Sequence, residues 1–209
     1  MYLPHPYEET RPQALHEVLT RHPLGMLVTH GSQGLDANHL PFELDAGVGK
    51  HGILRAHVAR ANPLWQLVGD ADEVLVVFRG EEAYISPNWY PSKQETQRQV
   101  PTWNYKVVHV HGRITVHDDE KYVRGVVARL TRRHEAGQSS PWKMGDAPPG
   151  YIDAELRAIV GIEIAISRMV GKFKLSQREE NRDRIGAGQA LIERGEHALG
   201  RAMLDLPAR

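Results

Sequence analysis

Residues Val108 to His117 read VHVHGRITVH, and their alternation decides the class of fold. Val108, Val110, Ile114 and Val116 fall on one side of an extended chain, while His109, His111, Arg113, Thr115 and His117 fall on the other. Successive side chains of a strand point to opposite faces, so this period of two describes a strand with one face buried. Gly112 takes the apolar phase. Half-buried strands are characteristic of antiparallel sheets, because parallel sheets are covered on both faces.

The same reading extends in both directions. Downstream, the spacing predicts a helix over Asp118–His134, a short one near Asp153–Arg157, and a last strand over Val160–Val170 in which Ile162, Ile164 and Ile166 alternate with Glu163, Ala165 and Ser167. Upstream, strands are expected at Met26–His30, Asn38–Leu44, Ile53–Ala59, Glu73–Phe78 and Ala83–Ile85, with Pro41 breaking the second or placing it at an edge. Gly31-Ser32-Gln33-Gly34, Asp45–Gly52 and Arg79-Gly80-Glu81-Glu82 read as the turns between them. Helical spacing marks Pro12–His22, Pro63–Val68 and the tail Glu179–Leu204. Seven or so short strands that do not alternate with long helices indicate a mainly β, α+β domain built on a closed or nearly closed antiparallel barrel. The barrel is expected over residues 1–175, with 176–209 as its helical extension.

Composition narrows the function classes. A chain of 209 residues without cysteine excludes disulfides, thiolate metal sites and cysteine nucleophiles. The opening MYLPHPYEETRPQ lacks the basic start and apolar run of a signal peptide, and no apolar stretch approaches the ~18 residues of a membrane span. A cytoplasmic location is the expectation. Lys and Arg number 26 against 26 Asp and Glu, without the basic excess that phosphate neutralisation asks of a dedicated nucleic-acid binder.

Four segments carry candidate chemistry. Asn88-Trp89-Tyr90 and Trp103-Asn104-Tyr105 each follow a proline and are separated by a polar stretch. Flat half-polar side chains suit a planar ligand or a partner surface, and a structureless connection from Pro87 to Trp103 is long enough to be functional. On the strand before Pro63, Arg55 and His57 share a face, and Arg60 and Asn62 sit at its mouth; they either hold a phosphate or make an outward polar edge. The basic run Arg168–Arg178 carries Lys172, Ser176 and Gln177. Ser176 with Glu179 makes a capping-box pattern, so a helix is expected to start there, as an anion site or simply as a cap. His109 and His111 have a spacing compatible with a metal, but no third ligand is suitably spaced.

Taken together, PNWY, VPTWNY, HVARANP (57–63) and GKFKLSQ (171–177) resemble the PaiB-type family of FMN-binding proteins, often labelled negative transcriptional regulators of protease synthesis and sporulation. The resemblance runs from MYLP to the C-terminal helices. It implies a split β-barrel, an antiparallel Greek key that pairs as a homodimer with FMN at the subunit interface. It further implies that Arg55, His57, Arg60 and Asn62 approach the flavin phosphate or ring, that Lys172, Ser176 and Gln177 complete the pocket, and that Trp103, Asn104 and Tyr105 touch flavin or the dimer partner. The sequence departs from the family pattern where Arg178 replaces an asparagine after Ser-Gln, with Asn181 shifted along.

Three roles are compatible with such a protein. One is a regulator acting through flavin or a partner. The second is an NAD(P)H-dependent reductase or oxidase of a small molecule, and the third a haem-binding or haem-degrading barrel. Direct DNA binding is not expected. The tail mixes Arg182, Arg184, Arg194 and Arg201 with Glu180, Asp183, Glu193 and Glu196, as a packing helix would.

Overall fold

The computed structural model describes residues 1–31 and 34–207. Its strands are β1 (Glu8–Glu9), β2 (Leu24–Gly31), β3 (Gly34–Pro41), β4 (Glu43–Asp45), β5 (Ile53–Ala59), β6 (Glu73–Ile85), β7 (Thr102–His117) and β8 (Ile159–Lys174). Helices are α1 (Pro12–Arg21), α2 (Leu64–Leu67), α3 (Pro91–Thr96), α4 (Glu120–Glu135), α5 (Tyr151–Arg157), α6 (Asn181–Glu193) and α7 (His197–Leu204). The strands form one sheet in the order β3-β2-β6-β7-β8-β5-β4, with β1 beside β8. β2 pairs antiparallel with β3 and β6, and β5 with β4 and β8. The chain divides into two compact units. The first comprises Met1–Arg21, Arg79–His109 and Val170–Arg209; the second comprises His22–Phe78 and Val110–Met169.

In the second unit the alternation read from VHVHGRITVH is realised. Val110 and Ile114 are fully buried, as are Leu54 and Ala56 of β5 and Ile162 and Ile164 of β8. The β2–β3 hairpin pairs from Leu24↔Pro41 to Gly31↔Gly34, and the Ser32-Gln33 tip of its expected turn lies outside the described residues. α4 is capped by Asp119, whose carboxylate accepts from the Tyr122 N–H at 2.8 Å. Its first turn then lays the Tyr122 ring on Gly161, where a Cβ would lie 2.7 Å from the ring. Only a glycine in β8 leaves room for that ring.

Three expectations are corrected. β6 runs unbroken through Arg79–Glu82, which is not a turn. What reads as a turn is a change of phase: Val74, Val76 and Phe78 are buried before it, Ala83 and Ile85 after it. The inward face moves by one residue, which breaks the period of two without ending the strand. The Pro87–Trp103 segment is not structureless, since it holds a 3₁₀ turn at Pro87–Trp89 and then α3, and Trp103 already lies in β7. Finally, no helix starts at Ser176. β8 extends to Lys174, Ser176 takes a left-handed φ of 62°, and α6 begins at Asn181.

The first unit explains why the 87–103 segment is ordered. Asp183 of α6 is fully buried and accepts from the Ser92 N–H at 2.9 Å and the Ser92 hydroxyl at 2.6 Å. Gly186, one turn on, lets α6 approach so closely that a Cβ would lie 2.5 Å from the Trp89 carbonyl oxygen. Asp183→Ala removes the acceptor and leaves the buried Ser92 donors unpaired, which costs about 2–4 kcal/mol. Urea denaturation will show this as a lowered midpoint; an unchanged midpoint would mean that the loop is held by other contacts.

Candidate functional site

The first unit gathers aromatic rings and lysines along β7 and the end of β8. Asn104 points in and is fully buried, whereas Trp103 is 55% exposed. Tyr84 of β6 meets Trp103 edge to face, with ring centroids 6.3 Å apart. The two tryptophan clusters read from the sequence converge: Asn88, Trp89 and Trp103 line one groove of about 680 Å³, together with Tyr84, Ser86 and Arg194. The Arg194 guanidinium lies 5.4 Å from the centroid of the Trp89 ring. Glu82 and Glu196 line it too, so the groove presents π faces, a few donors and two carboxylates to a planar heterocycle.

Beside it, Lys172 and Lys174 project two residues apart on β8. Lys172 Nζ sits 5.5 Å from the Tyr105 ring and 5.6 Å from the Tyr2 ring, and donates to the Tyr2 carbonyl at 3.1 Å. Lys174 Nζ donates to the Trp103 carbonyl at 2.7 Å and to Thr102 Oγ1. Burial, and after it the charge of Lys172, hold the Lys174 ammonium below the usual lysine range. Among the described residues neither lysine has a carboxylate within ion-pair distance. Glu179 offsets the Lys174 charge in part from beyond ion-pair distance, while the Lys172 ammonium is held by rings and a carbonyl and keeps its attraction for an anion.

The remaining candidates of this unit are engaged internally. Asn104 Nδ2 donates to Ser176 Oγ at 2.8 Å and to Met203 Sδ at 3.3 Å, and the Tyr90 hydroxyl lies 3.4 Å from the same serine. Asn104 Oδ1 is buried without a partner among the described residues. Gln177 closes its own turn, accepting from the Leu175 N–H at 2.7 Å and donating to the Phe173 carbonyl.

Arg55, His57, Arg60 and Asn62 lie in the second unit. Arg55 is bound to Asp45 at 2.7 Å and to Glu163 at 3.4 Å. Glu163 also accepts from the Tyr122 hydroxyl at 3.0 Å; burial, and then this carboxylate, push the phenol above its ordinary range. Arg60 grips Asp118 with both terminal nitrogens, at 2.5 and 3.0 Å, and gives its Nε–H to the Arg157 carbonyl. Asn62 donates to Asn38 at 2.7 Å and closes the turn before α2 by accepting from the Leu64 N–H at 2.9 Å. His57 has a ring nitrogen, Nδ1, buried without a partner among the described residues. Lys174, Tyr84, Arg194 and Tyr2 are not singled out as site residues by the sequence motifs. Extending the β8 alternation four residues past Val170 reveals Lys174; nothing local marks Arg194 or Tyr2.

Residues 1–168 match the family described as Putative FMN-binding domain. The chain belongs to this family. It is 34% identical to an uncharacterised protein of Emericella nidulans, AN0679, over 89% of this chain and 88% of that protein. It is 28% identical to the protease synthase and sporulation protein PAI 2 of Bacillus subtilis, over 88% of this chain and 85% of that one. Among solved structures, the FAD and haem binding protein of Mycobacterium smegmatis matches with a TM-score of 0.60 at 17% identity, covering 87% of this chain and 80% of the other. The PaiB-type resemblance and the split-barrel fold read from the sequence both stand. Among the described residues no helix is long and apolar enough to cross a membrane.

Burial lowers the pKa of His57 below its ordinary 6.5. The unfolded chain therefore binds the proton more readily than the folded one. The stability His57 contributes is present above pH 6.5 and is lost as pH falls below it toward the folded pKa. His57→Gln is expected to flatten that part of the acid slope. Urea midpoints of both proteins between pH 7.5 and 5.5 measure it, and parallel slopes would refute the assignment.

Proposed function

We propose that this protein binds FMN as a cytoplasmic homodimer, with the flavin at the subunit seam, and that it acts as a regulator through its flavin state or a partner. The observation that carries the reading is the convergence of Trp89, Trp103 and Tyr84 on one open groove, in the same unit as two lysines without carboxylate partners. These residues fit the group. FMN asks for a slot for a flat ring, donors at its polar edge and a site for a dianion. Trp89 and Trp103 supply flat walls; Asn88 and Arg194 supply donors. Lys172 and Lys174 supply the cations for the phosphate, with Tyr105 and Tyr2 holding the Lys172 ammonium in position. Arg55 and Arg60 contribute less, since carboxylates already occupy them. Exposed Trp103 and Tyr84 would be covered by flavin and by a second copy of the chain. Bound FMN supplies electron and hydride transfer chemistry; the protein supplies placement and electrostatics.

The tail favours a regulator that does not read DNA directly. Arg184 is buried and donates to the Met203 carbonyl, Arg182 is paired with Glu95 and Glu180, and Arg194 lies over Trp89. Arg184 is turned inward, and the other two, though exposed, are engaged by carboxylates or by a ring. Purified protein is expected to give no salt-resistant gel shift with DNA, and tight shifting at 200 mM salt (about 20 times the ionic strength at which the Debye length is ~30 Å) would refute this.

A second reading, an NAD(P)H-dependent reductase or oxidase, is favoured by the openness of the same groove, which leaves room for a nicotinamide. Anaerobic bleaching of the reconstituted protein by NADH or NADPH would select it over the regulator.

The binding itself is tested by titrating FMN and following its fluorescence, with light scattering for the dimer. Trp103→Ala and Lys172→Ala are each expected to weaken FMN about tenfold, and Arg60→Ala about twofold or less. If Arg60→Ala alone abolished binding, the phosphate would have to be assigned to the second unit.

A further inference from the structure

A second cavity, involving none of the residues of the flavin reading, lies on the second unit. It has a volume of about 440 Å³ and is lined by Ala128, Thr131, Arg132 and Glu135 of α4 and by Pro141, Trp142 and Met144 of the following loop. That volume is within the roughly 300–1,000 Å³ of small-molecule sites. Positions 128, 131, 132 and 135 repeat at three and four residues and so form one face of α4. The buried face, Val123, Val126 and Leu130, packs on the unit's core. Small side chains at 128 and 131 hollow the outer face, and the Trp142 ring, 43% exposed, forms the opposite wall.

The loop is held in this arrangement. The Trp142 N–H donates to Glu135 at 2.9 Å, and the Lys143 N–H donates to Asp146 at 2.8 Å. The cavity is therefore preformed, and its charge can be read. Arg124 and Arg129 of the same helix are paired with Glu120, Asp153 and Glu43. Arg132 and Lys143, which line the cavity, have no carboxylate within ion-pair distance among the described residues. Glu135 is the one acid of the lining, and it already accepts from Trp142. The carbonyl end of α4 adds about half a negative charge, less than either cation. An apolar slot with an indole wall and two uncommitted cations at its rim matches a flat molecule carrying one anionic group.

We propose that this cavity binds a small aromatic carboxylate, its ring against Trp142 and its anion on Arg132. 2-Naphthoate serves as the probe and 2-naphthalenemethanol as its neutral counterpart, both followed by Trp142 fluorescence, with Trp142→Phe identifying the signal. The carboxylate is expected to bind about tenfold more tightly than the alcohol. Arg132→Gln should remove that difference while leaving the alcohol's affinity unchanged. Thr131→Trp, which fills the slot from a half-buried position on the helix, should abolish both and leave FMN binding intact. Equal affinities for the two probes would overturn the proposal, as would an Arg132→Gln protein that still prefers the carboxylate. A concentration-dependent self-association abolished by Thr131→Trp would also overturn it, by assigning the slot to a second copy of the chain.

Discussion

The buried carboxylate of Asp183 is the contact on which the first unit depends. A charge with no access to water must be met by donors, and it is met by the Ser92 N–H and hydroxyl. That demand ties α6 to α3, residues separated by 91 positions in the chain. Gly186 allows the approach, and the Trp89 carbonyl settles against it. The polar stretch between the two tryptophan motifs thereby becomes a fixed element. Trp89 is set in the same groove as Trp103, and Tyr90 is carried inward toward Ser176 and Asn104.

Electrostatics then separates residues that are equivalent as letters. Arg55, Arg60 and Lys172 all read as anion ligands, and Lys174 lies two residues beyond the last of them. Arg55 and Arg60 sit among carboxylates supplied by Asp45, Glu163 and Asp118, whose charge offsets theirs. Lys172 and Lys174 sit among rings and carbonyl oxygens, which stabilise a cation without cancelling it. The second environment leaves both lysines without an ion-pair partner among the described residues, with Glu179 acting on Lys174 from farther away. Asn104 and Ser176 carry a different lesson. Both belong to a motif that marks the family, yet both are buried and bonded to each other, so their side chains join β7 to the turn after β8.

Much of the fold was legible, and where it was not, the cause is physical. β5 was read to its last residue because its alternation is uninterrupted. β6 was read as two strands and a turn because its inward face shifts at Arg79–Glu82, and a phase shift looks like an interruption in one dimension. Ser176 was read as a helix cap because Ser-x-x-Glu satisfies the local pattern. In the structure its hydroxyl instead accepts from Asn104, a partner 72 residues away. Of the site, Trp89, Trp103 and Tyr105 are visible through their motifs, while Tyr84, Arg194 and Tyr2 are not, since nothing near them in sequence distinguishes them.

The sequence by itself determined the antiparallel sheet, most element boundaries and the motifs that mark the family, because each follows from local periodicity or from residue identity at short range. Tertiary structure alone decided which cations keep their charge available and which aromatic clusters share a wall. Those properties depend on neighbours supplied by distant parts of the chain, and on whether burial or an opposing carboxylate reaches a side chain first.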